Sequence, residues 1–273
     1  MIYRQNLHTH TIYCDGKNTP EEMVEHAISL GFSSIGFSAH SYMSFSLSPS
    51  LDCGRKNEYI REISRLKKKY KDKINLYCGL EFDMCSEKTE LNPSYDYIIG
   101  AMHYFKIGEK YVGFDRDPYV VKNVIDQYFA GDGLKMAKAY YETYATLPKF
   151  GRFDIVAHFD LIAKHSDFYD YIDVDSFAYK SAALESIREL IKAIPVFEVN
   201  TGGIARGYRK KPYLAPFMVK EINRLGGGFI ISSDCHNKQF LDCYFDDAIE
   251  YIRTCGVKEV LLFNGTKFEG MKI

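Results

Sequence analysis

Short, nearly continuous apolar runs alternate along the chain with longer segments in which apolar positions recur at helical spacing. The short runs predict strands, and each ends in a polar or ionisable residue. They cover a first strand led in by Met1-Ile2-Tyr3, then 34–38 ending at Ala39-His40, 74–80 ending at Glu81 and 95–101 ending at Met102-His103. Further on come 154–157 ending at His158, 196–200 ending at Thr201-Gly202-Gly203 and 228–232 ending at Asp234-Cys235-His236. Thr19-Pro20-Glu21-Glu22 supplies a cap, a proline for the first turn and two acids, so a helix is predicted to Leu30, stopped by Gly31. Other helices are predicted over 56–71, from Asp117-Pro118, and over 133–146, 175–193 and 212–225, with a possible last strand over 260–263. Seven strand and helix units of this kind predict an α/β fold: a parallel sheet covered on its outside and closed into one barrel, a single domain over 1–273. The irregular segments 41–54 and 106–117 would lie over the barrel mouth.

Composition narrows the partners. Lys and Arg number 35 against 36 Asp and Glu, so no net field favours nucleic acid or an anionic membrane, and a small molecule is the expected partner. The seven cysteines are odd in number and show no C-x-x-C spacing, which fits reduced thiols. With no signal-peptide pattern and no apolar run of about 18 residues, a soluble cytoplasmic protein is expected.

His8-Thr9-His10 places two imidazoles on the same side of an extended chain, and Asp234-Cys235-His236 repeats that spacing. The full candidate ligand set is His8, His10, Asp15, His40, Glu81, His103, His158, Asp234 and His236. Nearly all fall at strand ends, the face on which (β/α) barrels carry their sites. So many imidazoles and carboxylates converging on one mouth would perturb one another severely unless cations balanced them.

The motifs His8-Thr9-His10-Thr11, Cys14-Asp15-Gly16, Ser38-Ala39-His40-Ser41, Gly79-Leu80-Glu81-Phe82-Asp83, Ile99-Gly100-Ala101-Met102-His103-Tyr104, Ala157-His158-Phe159-Asp160, Glu198-Val199-Asn200-Thr201-Gly202-Gly203 and Ser233-Asp234-Cys235-His236 together resemble the PHP (polymerase and histidinol phosphatase) family of metallohydrolases. Within it, the chain is most similar to the monofunctional histidinol-phosphate phosphatases. The resemblance implies a distorted (β/α)7 TIM-like barrel with three divalent ions, Zn, Mn or Fe, at the C-terminal mouth of its strands. His8, His10, Glu81 and Asp234 would hold the first ion, and Glu81, bridging, would hold the second with His103 and His158. Asp15, His40 and His236 would hold the third. Ala39 stands where the family often has Asp, which puts support of the neighbouring ligand in doubt.

The implied reaction is hydrolysis of L-histidinol phosphate to L-histidinol and phosphate, a step of histidine biosynthesis, by attack of a metal-bridging hydroxide. Glu81, Asp234, His8, His10, His103 and His158 would carry the catalysis, with Arg206 and Lys164 as phosphate contacts and His165 either assisting or solvated. Tyr42, Phe45, Tyr104 and Phe105 flank strand ends and can wall an imidazole-bearing substrate, Tyr104 foremost. Cys235 is expected to be a packed thiol pointing away from the ligands. A phosphatase or phosphodiesterase acting on a nucleotide or sugar phosphate is the competing enzyme, and a non-catalytic metal-binding module the competing class. Oligomeric state is not encoded in any of these features.

Overall fold

The computed structural model describes residues 3–46, 48–91 and 94–273, so Met1 and Ile2, the lead-in to the first strand, lie outside the described residues. In chain order the elements are β1 (Gln5–Asn6), α1 (Pro20–Ser29), β2 (Ser34–His40), α2 (Cys53–Lys69), β3 (Asn75–Asp83), β4 (Tyr97–Ala101), β5 (Tyr104–Ile107), β6 (Lys110–Gly113), α3 (Pro118–Tyr128) and α4 (Gly133–Tyr144). Then follow β7 (Ile155–Val156), α5 (Phe177–Leu190), β8 (Val196–Asn200), α6 (Gly202–Ala205), α7 (Pro216–Arg224), β9 (Gly228–Ser232), α8 (Phe245–Thr254), β10 (Glu259–Phe263) and β11 (Phe268–Lys272).

Seven strands form one parallel sheet in the order β1-β2-β3-β4-β7-β8-β9. The ring is joined beyond its last strand: Thr9 bridges Cys235 in parallel, with the His10 amide donating to the Cys235 carbonyl at 2.8 Å and the Cys235 amide to the His8 carbonyl at 3.1 Å. The molecule is a distorted (β/α)7 TIM-like barrel, and its closure occurs at the residues that carry the opening histidine pair.

Strand alternation sorts the core into two layers. Leu7, Tyr97, Ile99, Ala101, Ile155, Ala157 and Ile230 fill the barrel interior. Phe37, Ala39, Leu80, Phe82, Val156, Phe197 and Ile231 face outward against the helices. A Cβ on Gly36 or Gly79 would come within 2.3 Å of the Tyr97 side chain, so both glycines leave room for that ring inside the barrel. Its hydroxyl lies between the carbonyls of Leu7 and Phe37, tying three strands together.

The hairpin β10–β11 plugs the other end. Gln5 exchanges two hydrogen bonds with the Phe263 backbone, each 2.8 Å, and the Phe263 ring packs against Tyr77 and Tyr97. The run 260–263 is therefore a strand, but of this hairpin and not of the barrel.

Two further expectations change. The helix expected over 212–225 begins only at Pro216, because Tyr213 pairs antiparallel with Asn200 through two hydrogen bonds, 3.1 and 3.0 Å. Part of the irregular segment 106–117 is the hairpin β5–β6. Helix α8, absent from the sequence reading, buries Phe245, Ala248, Ile249 and Ile252 and completes the seventh unit. Helix α1 is as expected, with Thr19 and Glu22 forming a reciprocal capping box that contributes about 1 kcal/mol.

Candidate active site

All nine candidate ligands meet at the C-terminal mouth. His8 and His10 follow β1, their rings 5.2 Å apart and both fully buried, while the intervening Thr9 turns away and donates to the Gly36 carbonyl. Glu81 is the centre of the constellation. Its Oε1 lies 3.4 Å from His8 Nε2, 3.5 Å from His103 Nε2 and 3.1 Å from His158 Nε2; its Oε2 lies 3.6 Å from His10 Nε2 and 2.7 Å from His40 Nδ1. Asp234 Oδ1 faces His10 at 3.1 Å and His8 and His236 at 3.6 Å each. Asp15 completes the outer side, 3.2 Å from His236 Nε2 and 3.5 Å from His40 Nε2.

These residues fall into four groups of converging ligand atoms: His10, Asp15, His40 and His236; His8, His158 and Asp234; His8, His10 and Glu81; and Glu81, His103 and His158. The set Glu81, His103 and His158 occurs as one group, whereas the four-ligand set His8, His10, Glu81 and Asp234 is divided, Asp234 grouping with His8 and His158, and His10 also faces the outer set. Among the described residues no other such group occurs. His8 Nε2, His10 Nε2, Glu81 Oε2 and His158 Nδ1 are buried without a hydrogen-bond partner. Buried imidazole nitrogens and a carboxylate oxygen without hydrogen-bond partners are costly unless cations coordinate them, so the donor set fits divalent metal ions.

Electrostatics support the same fit. Burial opposes the charged form of Glu81, yet the surrounding His40, His8 and His103 outweigh it and hold the carboxyl well below its usual range. Asp234 is lowered likewise, burial being overcome by Arg206 and His8. Burial and the neighbouring His236 and His40 push His10 down to about 3, whereas His103, despite burial, is held up at about 9 by Asp83 and Glu81.

Two carboxylates quoted only within motifs prove to orient the ligands. Glu198, wholly buried in β8, accepts from His8 Nδ1 at 2.6 Å, from the His158 amide at 2.7 Å, from Asn200 at 3.1 Å and from the Ser232 hydroxyl. The first contact engages His8 through Nδ1 and leaves Nε2 directed at Glu81 and Asp234, where a cation would take it. Asp83 serves His103 in the same way, accepting from its Nδ1 at 3.0 Å and its amide at 2.8 Å. The sequence signal was present: a carboxylate two residues from Asn200 or Glu81 on an otherwise apolar strand shares their inward face.

Ala39 packs outward in the helix-facing core, away from His40. Cys235 does so too, as expected, its thiol donating to the Asn237 carbonyl. Asp234 adopts φ +48°, a left-handed conformation that aspartate tolerates better than most residues. Its carbonyl accepts from His236 Nδ1 and Arg206 Nη1, both at 2.9 Å, and Arg206 Nη2 donates to its carboxylate at 2.8 Å. A Cβ on Gly202 would meet the Ser233 carbonyl at 2.4 Å, so glycine is needed for the turn that delivers Arg206.

The mouth opens as a cavity of about 390 Å³ bordered by Asp15, His40, Glu81, His103, Asp234 and His236 on its floor and by Arg206, Lys164, Tyr104, Asp115, Arg116 and Tyr208 on its walls. Burial lowers the Lys164 pKa against the pull of Asp115, whose backbone carbonyl it also contacts, and its ammonium lies 4.6 Å above the Tyr208 ring. Asp115, Arg116 and Tyr208 were not singled out from the sequence. Phe105 does not wall the cavity; it is buried behind, against Phe114 and Phe129. Tyr42 is exposed and does not border it either. His165 is not solvated: it is buried between the rings of Tyr169 and Tyr208, and burial with the neighbouring Lys164 lowers its pKa.

A sequence model of the PHP domain matches residues 6–202. Over 265 residues the chain is 27% identical to a probable histidinol-phosphatase of Deinococcus radiodurans, with 93% of this chain and 94% of the relative covered. It is 26% identical over 257 residues to a histidinol-phosphatase of Bacillus subtilis, covering 86% and 94%. Among solved structures, a histidinol phosphate phosphatase of Lactococcus lactis, complexed with Zn, L-histidinol and phosphate, shares the fold with a TM-score of 0.77 at 21% identity, covering 98% of this chain and all of that one. The domain match stops before Arg206, Asp234 and His236, which the fold itself brings to the site.

Proposed function

Because the chain belongs to the PHP domain family, we propose that it is a metal-dependent phosphomonoesterase that hydrolyses L-histidinol phosphate to L-histidinol and phosphate. The observation that carries this reading is the cluster of imidazole and carboxylate atoms around Glu81, open to a cavity walled by Arg206 and Lys164. Full-length relatives named histidinol-phosphatase supply the substrate.

Three divalent ions, Zn, Mn or Fe, would be held by His8, His10, Glu81 and Asp234, by Glu81, His103 and His158, and by Asp15, His40 and His236. Bound there, they would lower the pKa of water and neutralise phosphate charge. Glu198 and Asp83 hold His8 and His103 through Nδ1, which would leave each Nε2 to a metal ion once its proton is displaced. Arg206 binds phosphate oxygens from the rim while its Asp234 contacts hold the guanidinium in place. Lys164 adds a second cation to the cavity lining, and Tyr104 borders the organic half of the ester. The residues 1–273 act as one PHP-type barrel domain in cytoplasmic histidine biosynthesis.

Metal-loaded protein assayed with histidinol phosphate and with an unrelated aryl phosphate tests the reading. A clear preference for histidinol phosphate is expected; equal rates would reassign the substrate. Metal analysis showing at most one ion per loaded chain would remove the multinuclear centre.

A further inference from the structure

Between helices α5 and α7 lies a second cleft, of about 390 Å³, that opens to solvent and shares no lining residue with the catalytic cavity. The segments that lead away from the catalytic mouth build it. After His158 the chain supplies Asp160, Ala163 and Asp167, and after Arg206 it supplies Arg209 and Lys211. Val174, Tyr179 and Phe217 line the sides, and Lys220 stands on the second turn of α7.

The cleft holds an incompletely used arginine. The Arg209 side chain is only 9% exposed, yet its guanidinium makes two hydrogen bonds, each 3.4 Å, to the Asp160 carboxylate and the Ala163 carbonyl. Strong charge-assisted bonds of this kind close to about 2.7–2.9 Å. Arg209 Nε has no partner, and a buried guanidinium N–H left unpaired costs free energy. The Tyr213 ring supports the guanidinium from one face, 4.8 Å from its centroid. Helix α7 also starts at this cleft. Ala215, its cap, has no side-chain oxygen to take the free amides of the first turn, and Pro216 follows. Helix N-termini with free amides attract anions. Lys211 and Lys220, exposed at the edge, have no ion-pair partner among the described residues.

An anion placed here meets Arg209, the first turn of α7 and two unpaired ammonium groups, while Val174, Pro216 and Phe217 offer an apolar surface to the body that carries it. Asp160, Asp167 and Asp175 line the same cleft and oppose a second negative charge, which favours a carboxylate over a phosphate dianion. We propose that this cleft is a second binding site, separate from the catalytic cavity, for a small organic carboxylate with an apolar body. The proposal goes beyond the phosphatase reading and does not depend on it.

The anion 3-phenylpropionate and the cation phenethylamine carry the same apolar body, so comparing them by isothermal titration calorimetry isolates the charge. The metal-loaded protein is titrated in excess inorganic phosphate, which keeps carboxylate off the catalytic metals. Saturable one-to-one binding of 3-phenylpropionate is expected, with phenethylamine weaker by about tenfold or more. The Lys211→Ala, Lys220→Ala double variant should weaken the carboxylate about tenfold, and Arg209→Ala about a hundredfold. The lysine variant, which leaves the buried Asp160 and Arg209 pair intact, serves if Arg209→Ala fails to fold. No saturable binding, equal binding of the amine, binding abolished by phosphate, or an unchanged affinity in the folded variants overturns the site.

Discussion

The mouth of the barrel has an inner and an outer half, built on different terms. The inner imidazoles and carboxylate, His8, His10, Glu81 and His158, are at most 2% exposed, and Glu198 holds two of them from behind. The outer groups, His40, His236 and Asp15, have side chains 22%, 27% and 34% exposed; Asp15 contacts both imidazoles, which are held in turn by Glu81 and by the Asp234 carbonyl. The inner groups are tied to buried carboxylates behind them, whereas Asp15 and His236 are carried on turns and, with His40 at the end of β2, border the cavity. Ligand geometry is therefore set from within, and substrate is met from without. The contrast predicts a gradient of mutational effect.

The largest loss is expected for Glu81→Gln, since this one carboxylate faces five imidazoles. Steady-state assays should show kcat/KM down roughly a thousandfold, with lowered metal content; retention of most activity would place the centre elsewhere. Next come Glu198→Gln and Asp83→Asn, which should weaken metal binding about 10–100-fold, read by competition with a chelator. If these cost no more than the same change at Asp15, the inner and outer halves are equivalent and the contrast is wrong.

Metal removal sharpens the comparison through pH. In the metal-free chain His103 is held up at about 9 by Asp83 and Glu81 against burial, so its charged form contributes stability below its ordinary value of 6.5. That contribution fades as pH rises from 6.5 through about 9. Metal needs the neutral imidazole and binds more tightly over the same interval. Melting curves should show the stabilisation produced by metal growing with pH, and a constant increment would contradict the assignment of His103 as a ligand.

The smallest effect is expected at the rim. Arg206→Ala should raise KM about tenfold with little change in metal content. Because Arg206 also grips Asp234, a loss of bound metal comparable with that of Glu198→Gln would instead move this arginine into the inner frame.

Much of this layout is visible in the sequence because its units are local. Apolar runs ending in His40, Glu81, His103, His158 and Asp234 give both the parallel strands and the residues at their mouths. The ligand set is legible for the same reason, since strand ends converge wherever a barrel closes. What escapes is set by contacts between distant segments. Tyr213 leaves the helical pattern around it because it pairs with Asn200 across the chain. The run 260–263 carries no mark distinguishing a barrel strand from a plug held by Gln5. Phe105 and Tyr104 are adjacent in sequence, yet the pleat of β5 sends one into the core and the other to the cavity.

The bridge between Thr9 and Cys235 also has a consequence for how the protein is made. On the ribosome the histidine pair emerges first, while Asp234 and His236, which face it, are synthesised more than two hundred residues later. A nascent chain holding all the preceding strands still lacks the carboxylate opposite His10, and its barrel is still open at that seam. The groups that need Asp234 or His236 therefore form only after translation of the seventh unit, and a chain released early would expose the open seam.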